Sequence, residues 1–275
     1  MAFIGAGLSI PMSDEWAKLV EGLAAKCGVK AGTDLYATVD DCLDADPSAC
    51  DEFMRERFPF VHTINRTALG LVARLPFKSL LTTNFDAWLW LQSEREDFVE
   101  VLIYPQITLT GGLAKRIFYL HGQFDEQRDT RTSDLVFGKR SFEAAYSPGS
   151  ILPGFLLDVF TFLNVVFVGF TPTETYISEI LRRSNQIHRQ IEATGRKITV
   201  KRYSLEPDWK DTSPEWKAHQ VKLRALSDLS IEPCLYDPVA ADRRGLDRLL
   251  YGWLQLGDLK KRAPAFAEPF AAHAP

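Results

Sequence analysis

Four short stretches carry the side chains that could do chemistry. The first, Gly5-Ala6-Gly7-Leu8-Ser9, follows directly on the apolar Ala2-Phe3-Ile4. Glycines have no Cβ to hold a ligand away from backbone amides, and Ser9 adds a hydroxyl donor. A strand feeding such a turn and then a helix gathers amides and the positive helix end at one point, which suits a phosphate. The same residues also describe a plain tight corner. The third glycine of the usual dinucleotide fingerprint is absent, since Ile10 stands in its place.

The second stretch is Thr82-Thr83-Asn84-Phe85-Asp86, which follows Leu80 and Leu81. It puts a cluster of hydrogen-bonding groups at the C-terminal end of a strand, the edge where open α/β sheets bind ligands. The competing reading is capping, with Asn84 or Asp86 starting a helix at Ala87. The third is His121-Gly122 after another apolar run. A lone histidine is usually structural, but beside a phosphate turn and an Asn/Asp cluster it can serve as a base near neutral pH. His62, His188, His219 and His273 lack such neighbours and read as surface residues. The fourth stretch repeats the logic of the first: Val165 to Val168, then Gly169 and Thr171, then a helical pattern. It reads either as a contact to the ribose or adenine half of a dinucleotide or as a corner capped by Thr173.

These residues need a scaffold that delivers them to one edge. Eight apolar runs have strand character: 2–4, 79–86, 100–104, 116–122, 134–138, 165–170, 197–203 and 231–237. Most are uninterrupted rather than alternating, as in strands buried on both faces. Helical patterns occupy 15–27, 50–75, 141–146, 151–164, 175–192, 213–226 and 244–256. Strands alternating with helices predict an α/β fold, a mostly parallel sheet with helices on both faces. Residues of about 28–75 contain no convincing strand and form a helical insertion, and a second excursion spans about 125–164. Together they could lie over a cleft as a lid. One domain is expected over 1–258, followed by an Ala/Pro-rich tail or linker at 259–275 that could approach a further domain.

The totals exclude several classes. With 46% hydrophobic and 25% charged residues, the chain is an ordinary globular protein. A net charge of -4 argues against broad nucleic-acid binding. No stretch reaches the roughly 18 apolar residues of a membrane span, and no secretory leader is evident. Cys27, Cys42, Cys50 and Cys234 include no CxxC pair, so no metal site is expected, and reduced thiols in a cytoplasm are the simplest reading.

In this order, "GAGLS", "TTNFD", "YLHG" and "FVGFTPTE" resemble the sirtuin-like family, in particular its bacterial antiphage-defence branch. The similarity runs from Phe3 to about Leu256 and includes "PMSDEW" and "LYDP". It implies a Rossmann-like domain that binds NAD between the sheet edge and a helical module. Gly5, Ala6, Gly7 and Ser9 would face the pyrophosphate and its ribose. Asn84 and Asp86 would orient the nicotinamide ribose, the carboxamide and an attacking water, and His121 would be the catalytic histidine. Gly169 and Thr171 would form the adenosine-side turn. The sequence departs from protein-deacylating sirtuins at Thr83, where they usually carry glutamine, and at Glu174, where Asp is commoner. It also lacks their four-cysteine zinc module, having no cysteine between His121 and Gly169.

The activity so implied is hydrolysis of NAD to nicotinamide and ADP-ribose, with Asn84, His121 and Asp86 catalytic and Thr83 among the binding residues. Two rivals remain: a module that senses NAD or ADP-ribose and controls a partner, and an NAD-dependent deacylase. Unrestrained NAD loss would kill the host. The resemblance therefore also implies a homo-oligomer and a regulatory partner such as a HerA-type ATPase or an Argonaute-like protein.

Overall fold

A computed structural model describes residues 1–9, 16–59, 67–93, 98, 100–108, 115–125, 129–172, 174–211, 213–238 and 244–262. Seven strands form one sheet: β1 (Ala2–Ile4), β2 (Ser79–Thr82), β3 (Glu100–Ile103), β4 (Arg116–Tyr119), β5 (Val165–Val168), β6 (Arg202–Pro207) and β7 (Glu232–Tyr236). Their order is β3-β4-β2-β1-β5-β6-β7 and every pair is parallel. The fold is therefore α/β and Rossmann-like, with a sheet that is wholly rather than mostly parallel.

Two cores follow from the side-chain alternation of the strands. Ala2, Ile4, Leu80, Ile117 and Tyr119 face one side, where they meet α1 (Trp16–Lys26), α3 (Pro47–Arg57), α4 (Thr67–Arg74), α5 (Trp88–Ser93) and α10 (Arg244–Arg262). Phe3, Leu81, Phe118 and Phe167 face the other, against α6 (Lys139–Ala145), α7 (Ile151–Phe162), α8 (Thr175–Ala193) and α9 (Trp216–Asp228). Helix α2 (Leu35–Ala45) lies beside α1 and α3 and contributes Val39 and Cys42 to the first core.

The topology fixes where a ligand can enter. Neighbouring strands β1 and β5 lead to helices on opposite faces of the sheet, so the chain parts beyond their carboxyl ends and opens a crevice there. Register then aligns the candidate residues. Ile4 is paired with both Thr82 and Val168, and Thr82 with Tyr119. Gly5, Thr83, Leu120 and Gly169 thus leave the sheet side by side, and Asn84 and His121 come one residue later.

Several elements differ from the sequence expectation. The apolar 134–138 run is not a strand: Leu135, Val136 and Phe137 are buried without a ladder, the Leu135 amide bonded to the Thr132 carbonyl and the Val136 amide to the His121 carbonyl. Strand β6 starts at Arg202 rather than Lys197, because its partner β5 begins at Val165, paired with Arg202. The helical run 50–75 is broken after Arg57, where Pro59 removes a donor. The final helix runs to Arg262, past the expected start of the tail at 259, whose remaining residues 263–275 lie outside the described ones. His219 is buried and His188 half-buried, its Nε2 2.8 Å from the Thr161 carbonyl, so neither is the surface residue expected. His62, His273 and Thr173 lie outside the described residues.

Candidate functional site

The polar groups after β1 and β2 form one buried cluster. The Ser9 hydroxyl donates to Asp86 Oδ2 at 3.0 Å and accepts from Asn84 Nδ2 at 3.1 Å. The Asn84 amide donates to Thr82 Oγ1 at 3.0 Å, which turns the chain sharply at the strand end. Asp86 Oδ1 accepts from the Trp88 amide at 3.1 Å, so this carboxylate also caps α5. Capping and a polar site are thus both present in the same side chain. Ser9 is fully buried and does not line the cavity described below; it braces Asn84 and Asp86 from behind.

The glycines meet one another. The Gly5 amide donates to the Val168 carbonyl and the Gly7 amide to the Gly169 carbonyl. A Cβ on Gly5 would lie 2.3 Å from the Gly169 oxygen, and one on Gly7 2.6 Å from the same atom. Gly169 itself has φ +62°, a region costly for residues with a side chain. The turn after β1 is therefore a backbone joint to the turn after β5. It is followed by a single 3-10 turn, Ala6–Leu8.

A cavity of about 360 Å³ opens on one side of this joint, of the size typical for small-molecule sites. Ala6, Thr83, Asn84, Asp86 and His121 line it, together with Trp16, Leu19, Tyr36, Phe58, Phe85, Phe142 and Glu174. His121 is 4% exposed, packs edge-on against Phe142, and places Nε2 2.8 Å from the Tyr146 hydroxyl. Burial pushes its imidazole down to about 3 from an ordinary 6.5, so the ring is neutral at physiological pH. Below pH 6.5 the unfolded chain binds a proton that the folded protein does not. This contribution to stability is complete above pH 6.5 and is lost as pH falls towards 3, at up to about 1.4 kcal/mol per pH unit. His121→Asn, which does not titrate, is expected to flatten that part of the stability curve in denaturant titrations. An unchanged slope would show that His121 is not the group responsible.

A second cavity, of about 410 Å³, lies on the other side of the joint, with Gly7, Gly169 and Thr171 on its wall. The sequence reading missed its most polar members, Glu206 and Lys222. Glu206 is 2% exposed; Oε1 accepts from the Ser204 hydroxyl at 2.6 Å and Oε2 lies 2.7 Å from Lys222 Nζ. Lys222→Met removes one of the two partners of this buried carboxylate and is expected to destabilise the protein by about 2 kcal/mol. Equal urea midpoints for variant and wild type would contradict that pairing.

The structure brings Ala6, Thr83, Asn84, Asp86 and His121 to one cavity and Gly7, Gly169 and Thr171 to the other, with Gly5 buried in the joint between. The apolar and aromatic walls escaped sequence reasoning, because α1, α2 and α6 supply them from distant segments. One signal for α2 was legible: Asp34 accepts from the Ala37 amide at 3.1 Å as an N-cap, and Asp46-Pro47 closes that helix and opens the next. Among the described residues, no group of three or more His, Cys, Asp or Glu side chains is placed to hold a metal ion. None of the described helices is long and apolar enough to cross a membrane.

Comparison with known proteins adds one match. A family model described as a SIR2-like domain covers residues 78–223, just over half of the chain. The matched stretch runs from β2 into α9, so it contains Thr83, Asn84, Asp86, His121, Gly169 and Thr171 and excludes the first glycine turn. No curated protein matches the chain.

Proposed function

Since the chain belongs to the SIR2-like domain family, whose members are in general NAD-dependent enzymes, we propose that it hydrolyses NAD to nicotinamide and ADP-ribose. The observation that carries this reading is the pair of cavities divided by one backbone joint. Ala6 lines one and Gly7 the other, so a dinucleotide whose pyrophosphate crosses the joint can place one nucleoside in each. The larger polar set, with His121, lies on one side only, and that side takes the reacting nicotinamide riboside.

The chemistry asks little covalent help of the protein. Nicotinamide leaves as a neutral molecule from a cationic glycoside, and the transition state resembles an oxocarbenium ion. What the site must supply is a held ribose and a placed water, whose proton passes to solvent as ADP-ribose forms. Asn84, fixed through its amide nitrogen by Ser9, keeps its carbonyl oxygen for the water or a ribose hydroxyl. Asp86 helps fix the nicotinamide, and His121 orients the ribose. In the second cavity the Glu206 carboxylate is suited to accept from the adenosine ribose, a common use of an acid in dinucleotide sites.

The proposed setting is antiphage defence, with the chain acting as an effector that depletes NAD under the control of a separate partner and as a homo-oligomer. Product analysis tests the enzymatic part. Incubation with NAD should yield equal amounts of nicotinamide and ADP-ribose, with no need for an acylated lysine peptide. Deacylation of such a peptide in step with nicotinamide release would overturn the hydrolase reading.

A further inference from the structure

Tyr146, the C-cap residue that follows α6, was not singled out by sequence, and its hydroxyl is 2.8 Å from His121 Nε2. We propose that Tyr146 is the positioning residue that sets the His121 tautomer, so that the imidazole meets its ligand as an Nδ1–H donor and not as a base. The argument is one of hydrogen-bond satisfaction. Tyr146 packs against Phe142, at 5.9 Å, and Tyr176, at 4.8 Å, with rings nearly parallel, and burial pushes its phenol well above 10. The phenol therefore keeps its proton.

Tyr146 is half-buried, and a hydroxyl kept from water without an acceptor costs about 1–3 kcal/mol. Among the described residues, His121 Nε2 is the hydrogen-bonding partner found for this one. If Nε2 carried the proton, the phenol would accept from it and its own O–H would be left unmade. If Tyr146 donates to Nε2, both groups are satisfied and the one imidazole proton must be on Nδ1, since the ring is neutral. Tyr146 borders a slot of about 200 Å³ that shares Tyr36, Phe142 and Glu174 with the main cavity, and its hydroxyl occupies Nε2 of the ring that lines the site. The nitrogen left for a ligand is Nδ1, bearing its hydrogen. A ribose hydroxyl oxygen can accept from it, whereas no lone pair is offered for taking a proton.

The effect on turnover rests on the proposed NAD hydrolysis; the tautomer does not, and the two are separable by experiment. Ring nitrogens of the full chain, labelled with 15N at histidine, are observed by two-bond 15N–1H correlation at pH 7, with His121 identified from the His121→Asn spectrum. Wild type should show a protonated Nδ1 and a bare Nε2. Tyr146→Phe keeps the ring stack and removes only the hydroxyl; it should shift the ring towards the Nε2–H form. The same variant should lower kcat for nicotinamide release roughly tenfold to a hundredfold, with KM for NAD little changed, as expected when an orienting partner of a functional histidine is lost. Tyr176→Phe, which leaves the bond to His121 in place, should keep the wild-type tautomer. An Nε2–H signal in wild type, or an unaltered tautomer in Tyr146→Phe, overturns the proposal. The expected tautomer in a chain that releases no nicotinamide supports it and counts against NAD hydrolysis instead.

Discussion

Asn84→Ala is expected to lower kcat for nicotinamide release by roughly a hundredfold or more while leaving KM and the fold nearly intact. The size follows from what the side chain does. Asn84 is buried at the carboxyl edge of β2, with its amide nitrogen fixed by the Ser9 hydroxyl at 3.1 Å. That bond sets the direction of the remaining oxygen, and displacement of a reacting group by about 1 Å can cost a hundredfold in rate. Folding should survive, because the Ser9 hydroxyl still has Asp86 as its acceptor at 3.0 Å and Asp86 still caps α5. His121→Ala should lose a similar factor by releasing the ribose. Steady-state nicotinamide release by the two variants, measured beside wild type, checks both. Unchanged rates in both would remove this cavity from the reaction.

The second large effect concerns stability. Gly5→Ala would put a methyl group 2.3 Å from the Gly169 oxygen and 2.6 Å from Phe170 Cα. Both obstacles are backbone, held by the Gly5–Val168 and Gly7–Gly169 hydrogen bonds, so no side-chain rotation relieves the clash. The expected loss is about 3 kcal/mol or more, a fall in Tm on the order of 6–12 °C for a domain of this size. Calorimetry of the two proteins measures it. A Tm within a degree of wild type would mean that the two turns do not abut. The glycines are thus accounted for first by each other and only then by a ligand.

That distinction shows where sequence stops being informative. Short uninterrupted runs such as Val165 to Val168 announced strands buried on both faces, and seven of the eight runs overlap the sheet, the run 197–203 only at Arg202 and Tyr203. The exception, Leu135 to Phe137, has the same composition for a different reason: it is buried, with Phe137 against Trp16 and Phe85, and makes a single bond across to His121. Composition reports burial, not ladder pairing. Within the expected helical insertion the periodicity of helix α2 was not read, because acidic residues and the β-branched Thr38 and Val39 weaken its helical pattern, although its capping residues Asp34 and Asp46 were there to see. Its Tyr36 consequently escaped notice, although it lines the main cavity.

The polar residues of the site were legible for a topological reason. In a parallel sheet all strands end at one edge, so polar groups placed just after apolar runs converge without further information. Ser9, Asn84, Asp86 and His121 were found in that way. Their partners were not, because pairings such as Ser9 with Asp86 and His121 with Tyr146 depend on register and on how α6 packs. Glu206 and Lys222 show the same limit: they are separated by a loop and α9 packing, and nothing local in "SLEPDW" announces a buried ion pair.

In the proposed reaction one NAD molecule spans the two cavities, with its pyrophosphate over the joint of Gly5, Gly7 and Gly169. A crystal structure of the Asn84→Ala protein soaked with NAD measures this directly. Nicotinamide riboside is expected beside Asp86 and His121, and adenosine beside Thr171 and Glu206. Electron density for NAD elsewhere, or with the nicotinamide in the cavity of Glu206, would contradict it.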